Sequence, residues 1–174
     1  MLLNYVFRHT SPKVFLPSHK LSVSLHPQNV RLQHTIMAGI YLHIPFCKRR
    51  CIYCDFFSTT ENEKKEAYIQ ALSKELELRK EYLGGETIDT IYLGGGTPSQ
   101  LEKKDFIRLF DYIYKVYPVN PQAEITLEAN PDDLTPEYVT MLRTLPFNRL
   151  SMGMQTFKEE TLRLLHRRHT AVHA

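Results

Sequence analysis

The chain has three cysteines, and all of them fall in the eight residues from Cys47 to Cys54, at spacing CxxxCxxC. An odd number of thiols packed this tightly is a poor disulfide framework, because one would be left without a partner. Thiols so arranged usually bind a metal centre or carry redox chemistry in a reducing compartment. Soft sulfur donors favour iron–sulfur clusters or zinc over hard cations. Three thiolates can wrap one face of a cubane cluster and leave its fourth iron without a protein ligand. Structural zinc normally takes four ligands at paired spacing. His43 is the nearby candidate for a fourth ligand, and it lies on the preceding strand instead of in the loop. The bland alternative, three reduced thiols with no ligand, requires the clustering to be chance.

The cysteines interrupt an alternation of strands and helices. Gly39–Ile44 is a short β-rich run ended by Pro45. Glu61–Leu83 has helical period, with Ala67, Ile69, Leu72, Leu76 and Leu83 apolar, and Gly84-Gly85 stops it. Thr87–Leu93 is a second strand, closed by Gly94-Gly95-Gly96. Leu101–Val116 is a second helix, with Phe106, Leu109, Phe110 and Ile113 at core spacing. Ala123–Ala129 is a third strand and Pro136–Leu145 a third helix, with Thr135 at its N-cap. Arg149–Met154 and Lys158–Leu165 make a fourth pair. The class is α/β: four strand–helix units, a parallel sheet, and helices on its outer side. Each informative loop follows a strand's carboxyl end, and in a (β/α) barrel those ends share the face where active sites sit. Four units do not close a barrel, so the expectation is the front portion of a longer protein.

Residues 1–36 read differently. All 19 acidic residues fall after Ile36, against 18 of the 22 basic ones, so the net charge of +3 belongs to this segment. The remainder is near neutral, which leaves no electrostatic case for nucleic acid as a partner. Scattered prolines and the lack of any sustained period predict a poorly structured extension. It is either a basic, acid-poor transit segment of mitochondrial type or sequence upstream of a natural start at Met37. We favour the second, and with it a cytoplasmic location. His9, His19, His26 and His34 show no ligand spacing and read as solvated. No apolar run reaches the ~20 residues of a membrane span.

CxxxCxxC directly after a first strand, with an aromatic residue before the last cysteine, resembles the signature of radical S-adenosylmethionine (SAM) proteins. The longer string from Tyr41 to Phe56, together with IYLGGGTPS, TLEANPDDL and NRLSMGMQTF, is similar to the oxygen-independent coproporphyrinogen III oxidase group. The match runs from about Gly39 to the end, which makes 37–174 the N-terminal part of a radical SAM core. The coproporphyrinogen dehydrogenases of that group carry a further cysteine two residues past the third ligand. Here that position is Phe56, a form similar to the HemW branch of heme chaperones. The resemblance implies a [4Fe–4S] cluster on Cys47, Cys51 and Cys54, and SAM bound at the open iron. SAM is there cleaved to methionine and a 5′-deoxyadenosyl radical by an electron from the cluster. It also implies an electron donor, heme, and an acceptor protein to which heme is passed. Porphyrinogen oxidation in heme biosynthesis is the alternative, and a structural zinc module is the alternative of another class.

The same resemblance implies the SAM-binding residues. Tyr41 and Tyr53 are its aromatic contacts; taken alone, Tyr41 reads equally well as cross-strand packing. Gly95, Gly96 and Thr97 form a turn that lets backbone approach a ligand. No Gly-Lys-Ser/Thr follows, so it is not a phosphate-binding loop. Glu128 ends a strand in which Glu124, Thr126 and Glu128 face one way and Ile125 and Leu127 the other. Gln155 follows the fourth strand. Arg167 matches an arginine suited to gripping a carboxylate, although His166-Arg167-Arg168-His169 also reads as a charged helix end. No general acid, base or nucleophile is assigned.

Overall fold

The computed structural model describes residues 5–9, as backbone, and 37–172. Five strands form one sheet in chain order: β1 (Tyr5–His9), β2 (Met37–Ile44), β3 (Ile88–Gly95), β4 (Val119–Ala129) and β5 (Arg149–Met152). β2 to β5 run parallel, and β1 is added antiparallel along the outer edge of β2. The four predicted strands are therefore present, in an open parallel sheet. The strand at Tyr5–His9 is an addition to the sequence reading, which placed no element in 1–36. Residues 1–4 and 10–36, with His19, His26 and His34, lie outside the described residues.

Helices α1 (Lys65–Leu78), α2 (Lys103–Val116), α3 (Pro136–Leu142) and α4 (Glu159–Leu164) follow β2 to β5 in turn. The first is shorter than the predicted 61–83. It starts after a 3-10 turn at Asn62–Lys64 and tightens past Arg79 into a second at Lys80–Leu83. Such tightening is common at helix ends, and here it draws Leu83 into the core before Gly84 stops the chain at φ 59°. In α2 the Asp105 carboxylate accepts the Glu102 N–H at 3.0 Å. Thr135 caps α3 as expected, accepting from the Tyr138 N–H at 3.2 Å, with Pro136 at the first position.

Alternation along the strands sorts the sheet into two faces. Ala38, Ile40, Leu42 and Ile44 of β2 are buried, as are Ile88, Ile91 and Leu93 of β3 and Ala123, Ile125 and Leu127 of β4. They pack with Ile69, Leu72 and Leu76 of α1 and Phe106, Leu109, Phe110 and Ile113 of α2 in one cluster. The opposite face is polar. Its register aligns Tyr41, Tyr92, Thr126 and Arg149 across four strands. β4 begins earlier than predicted, pairing Val119 with Ile88. Its register then shifts around Pro121, which has no N–H to give a ladder, and resumes at Glu124 opposite Thr90. β5 is shorter than predicted: its last ladder bond runs from the Gly153 N–H to the Ala129 carbonyl, and Gln155 then turns the chain away at φ 62°.

Candidate functional site

The carboxyl ends of β2, β3, β4 and β5 surround a cavity of about 240 Å³. Cys47, Cys51 and Cys54 form one side of it, Gly95, Gly96 and Thr97 another, and Glu128, Gln155 and Arg167 the rest, with Tyr53 at its edge. Ten of the eleven expected site residues thus meet at one place, from loops up to 120 positions apart. The exception is Tyr41. It is absent from the cavity wall, and its ring stacks on Tyr92 (5.9 Å between centroids, 22° between planes) on the polar face of the sheet. Burial, then the nearby Glu128 carboxylate and Tyr92, push its phenol up to about 12. The strand register explains this: Tyr41 lies one step below His43 on the same face.

The cysteine loop is pinned at both ends. Phe46 bridges to Thr59; Cys47 N–H donates to the Thr59 carbonyl and Thr59 N–H to the Pro45 carbonyl, both at 2.8 Å. Between these ends the chain bulges outward, leaving Ile52, Phe56 and Phe57 exposed. His43 is buried, and its Nε2 lies 2.8 Å from the Phe57 carbonyl, so the imidazole N–H holds the far limb of the loop. His43 is not part of the cavity wall and so stands apart from the space the three thiols share.

Two glycines are required by what they touch. Gly95 has φ 113°, and a Cβ there would lie 2.5 Å from the His43 ring. A Cβ on Gly96 would lie 2.6 Å from the Pro45 carbonyl oxygen. The β3 loop therefore sits directly against the base of the cysteine loop, backbone to backbone. From there Thr97 Oγ1 donates to Cys47 Sγ at 3.3 Å.

The acidic and basic walls are already oriented. Glu128 accepts from the Tyr92 hydroxyl at 2.6 Å and from the Gly95 N–H at 3.1 Å. The Arg167 guanidinium gives Nη2 to the Asn130 side-chain oxygen at 2.7 Å and to the Gly153 carbonyl at 2.5 Å. Its Nη1 points to Cys51 Sγ at 3.6 Å and to the Tyr53 hydroxyl at 3.3 Å. Arg167 is therefore a cavity residue and no mere helix-end charge. Its buried Nε lacks a hydrogen-bond partner. Gln155 holds its left-handed backbone without being glycine, a conformation that costs on the order of 1–3 kcal/mol and clusters at ligand sites.

The three thiols are free, with Cys47 buried and Cys51 and Cys54 partly exposed. Burial pushes the Cys47 thiol up, and the Thr97 hydrogen bond pulls it back down. Among the described residues, no group of three or more His, Cys, Asp or Glu is spaced to hold a single metal ion. What the cysteines share is a wall of a larger space, with donors from Thr97 and Arg167 aimed at two sulfurs. Three soft donors, an outer-shell hydrogen bond on two of them, and room for several atoms fit a sulfur-ligated cluster. The sequence reading missed Asn130, which orients Arg167, and the run Ser151–Gly153, which completes the wall. The Glu128-Ala129-Asn130-Pro131 string at a strand end was the available signal for Asn130.

A protein whose parallel strands end at three thiols, a glycine turn and an oriented Glu/Arg pair has the layout of a cluster-binding α/β barrel segment. The profile of the Radical SAM superfamily matches residues 41–173, and the chain belongs to that superfamily. It is 38% identical over 136 residues to the heme chaperone HemW of Mycobacterium tuberculosis (strain CDC 1551 / Oshkosh), covering 76% of this chain and 35% of that protein. It is equally similar, 38% over 135 residues, to HemW of Bacillus subtilis (strain 168), with 76% and 36% covered. To the oxygen-independent coproporphyrinogen III oxidase of Escherichia coli (strain K12) it is 35% identical over 131 residues, with 74% and 29% covered. The solved structure of coproporphyrinogen III oxidase (HemN) from Escherichia coli, a radical SAM enzyme, superposes with a TM-score of 0.68 at 35% identity. It covers 74% of this chain and 30% of that one. The chain thus spans about a third of the length of the relatives it matches. No helix among the described residues is long and apolar enough to cross a membrane.

Proposed function

We propose that this chain is the cluster-binding part of a cytoplasmic heme chaperone of the HemW type, which binds heme and passes it to an acceptor protein. Cys47, Cys51 and Cys54 would hold the [4Fe–4S] cluster. Gly95, Gly96, Thr97, Glu128, Gln155 and Arg167 would hold SAM, with Tyr53 covering the open side. When bound, the cluster supplies an open iron and one electron from an external donor protein. The protein's own part is electrostatic and steric. Glu128, fixed by Tyr92 and Gly95, accepts hydrogen bonds from hydroxyl or ammonium groups. Arg167, a guanidinium fixed on the cavity wall, is suited to a carboxylate. The bare glycine turn lets a ligand lie against backbone, and Tyr53 limits water over the sulfurs. Tyr41 supports this wall from beneath Gly94.

One observation carries the site assignment: the three thiols share one cavity with the glycine turn, Glu128, Gln155 and Arg167. Phe56, in place of a further cysteine, favours the chaperone branch. The likeness to the HemN structure supports a second reading, oxygen-independent coproporphyrinogen III dehydrogenation. Anaerobic reconstitution with iron and sulfide, then heme titration beside a coproporphyrinogen turnover assay, separates them. The chaperone reading expects roughly four irons per chain, heme bound and coproporphyrinogen unchanged. Turnover to protoporphyrinogen establishes the second reading, and a colourless protein holding zinc overturns both.

A further inference from the structure

Asp133 lies outside the cavity wall, yet its partners come from three of the loops that build it. Its carboxylate is almost wholly buried, with 3% of the side chain exposed. Oδ1 accepts from Lys48 Nζ at 3.2 Å and from Arg168 Nη2 at 2.8 Å. Oδ2 accepts from Ser99 Oγ at 2.7 Å and from Gln100 Nε2 at 2.6 Å. The Ser99 oxygen also accepts the Asn130 N–H at 3.2 Å, which passes the chain of bonds on to the residue that orients Arg167.

The four partners come from three loops, and each loop also carries a cavity residue. Lys48 follows Cys47, Ser99 and Gln100 follow the Gly95–Thr97 turn, and Arg168 follows Arg167. The same Arg168 Nη2 also lies 2.6 Å from Asp132 Oδ2. Four donors converge on two oxygens, which an ionised carboxylate satisfies and a neutral acid cannot. With Lys48 and Arg168 as counter-cations, the burial of that charge is compensated.

We propose that Asp133 is the positioning residue of this site: one buried negative charge that ties the cysteine loop, the glycine turn and the arginine loop into a single wall. Its function is to keep Cys47 and Arg167 in place before any ligand arrives. The inference deepens the functional reading given above but does not need it for its first test.

Asp133→Asn keeps the shape and removes the charge. Ser99 can rotate its hydroxyl and Gln100 can reverse its amide to suit a new NH2 group, but Lys48 and Arg168 have no such freedom. The first test is alkylation of the metal-free protein by iodoacetamide, followed cysteine by cysteine by mass spectrometry, with circular dichroism as the check on folding. Cys47 is buried and should react about tenfold faster in Asp133→Asn, while the more exposed Cys51 and Cys54 change less than about twofold. Unchanged Cys47 reactivity, or equal acceleration of all three thiols, overturns the proposal. If Asp133→Asn fails to fold, Ser99→Ala serves, since it cuts the link to Asn130 but leaves both cations paired. It should accelerate Cys47 about threefold, and no acceleration overturns the proposal. The second test is SAM affinity per cluster in reconstituted protein, expected to fall about tenfold in Asp133→Asn. Wild-type protein that takes up no cluster would overturn the functional reading alone, because the alkylation rates still decide the role of Asp133.

Discussion

The helix-covered side of the sheet and the loop-bearing ends of the same strands are held together by different forces. On the covered side, apolar side chains of β2, β3 and β4 meet those of α1 and α2 in a continuous cluster. There the stabilisation scales with area and tolerates variation in detail. At the loop end, individual hydrogen bonds join the segments: Thr97 to Cys47, Arg167 to Asn130, and the four donors on Asp133. The core sets whether the chain folds, and the loop end sets where the thiols face. Damage to one should therefore register differently from damage to the other.

The largest expected effect is in the core. Phe106 is fully buried and packs edge-on against Phe147 at 5.2 Å. Phe106→Ala should cost about 3–5 kcal/mol in denaturant unfolding. Gly95→Ala comes next, at roughly 1–3 kcal/mol, because it combines a left-handed backbone with a collision on His43. It should also impair iron loading, whereas Phe106→Ala should spare loading in whatever fraction remains folded. Glu128→Gln is expected to leave the unfolding midpoint nearly unchanged and to weaken SAM binding about tenfold, measured by calorimetry on reconstituted protein. At the small end is Arg149→Ala, which removes a half-exposed pair with Glu124 at 3.1 Å and should change stability by less than ~0.5 kcal/mol.

Acid sharpens the same contrast. Burial alone would raise the Asp133 carboxyl, but hydrogen bonds from Arg168 and Ser99, the Arg168 charge and the Lys48 hydrogen bond outweigh it and hold it below the ordinary range. A depressed carboxyl contributes stability above its unfolded value, and that contribution is lost as pH falls through the lower folded value. Wild-type protein should therefore lose more stability than Asp133→Asn between about pH 4 and the folded value. Denaturant titrations at pH 7 and pH 3 check the difference, and the apolar core should not contribute to it.

Much of this organisation was legible in the residues alone. The apolar period of β2 to β4 and of α2 located the core, and strand ends located the loops. The cysteine spacing located one wall of the cavity. What was not legible depends on contacts across long sequence separations. Asp133 looks like one acid in a surface turn until Lys48, 85 residues earlier, and Arg168, 35 residues later, are brought to it. Tyr41 shows the same limit from the other direction. Its place in a string resembling a known family implied ligand contact, while the register stacks its ring on Tyr92, one step below His43. The edge strand Tyr5–His9 was hidden because its stability comes from the ladder with β2, and its own short sequence carries no period.

Three sulfurs hold the proposed centre, and the metal content of anaerobically reconstituted protein tests that directly. Wild type should bind roughly four irons and as many acid-labile sulfides, with an electron paramagnetic resonance signal after reduction that SAM alters. Cys47→Ser, Cys51→Ser and Cys54→Ser should each abolish it while leaving the fold intact. Full iron loading in any one of the three variants, or zinc in place of iron in wild type, would contradict the account.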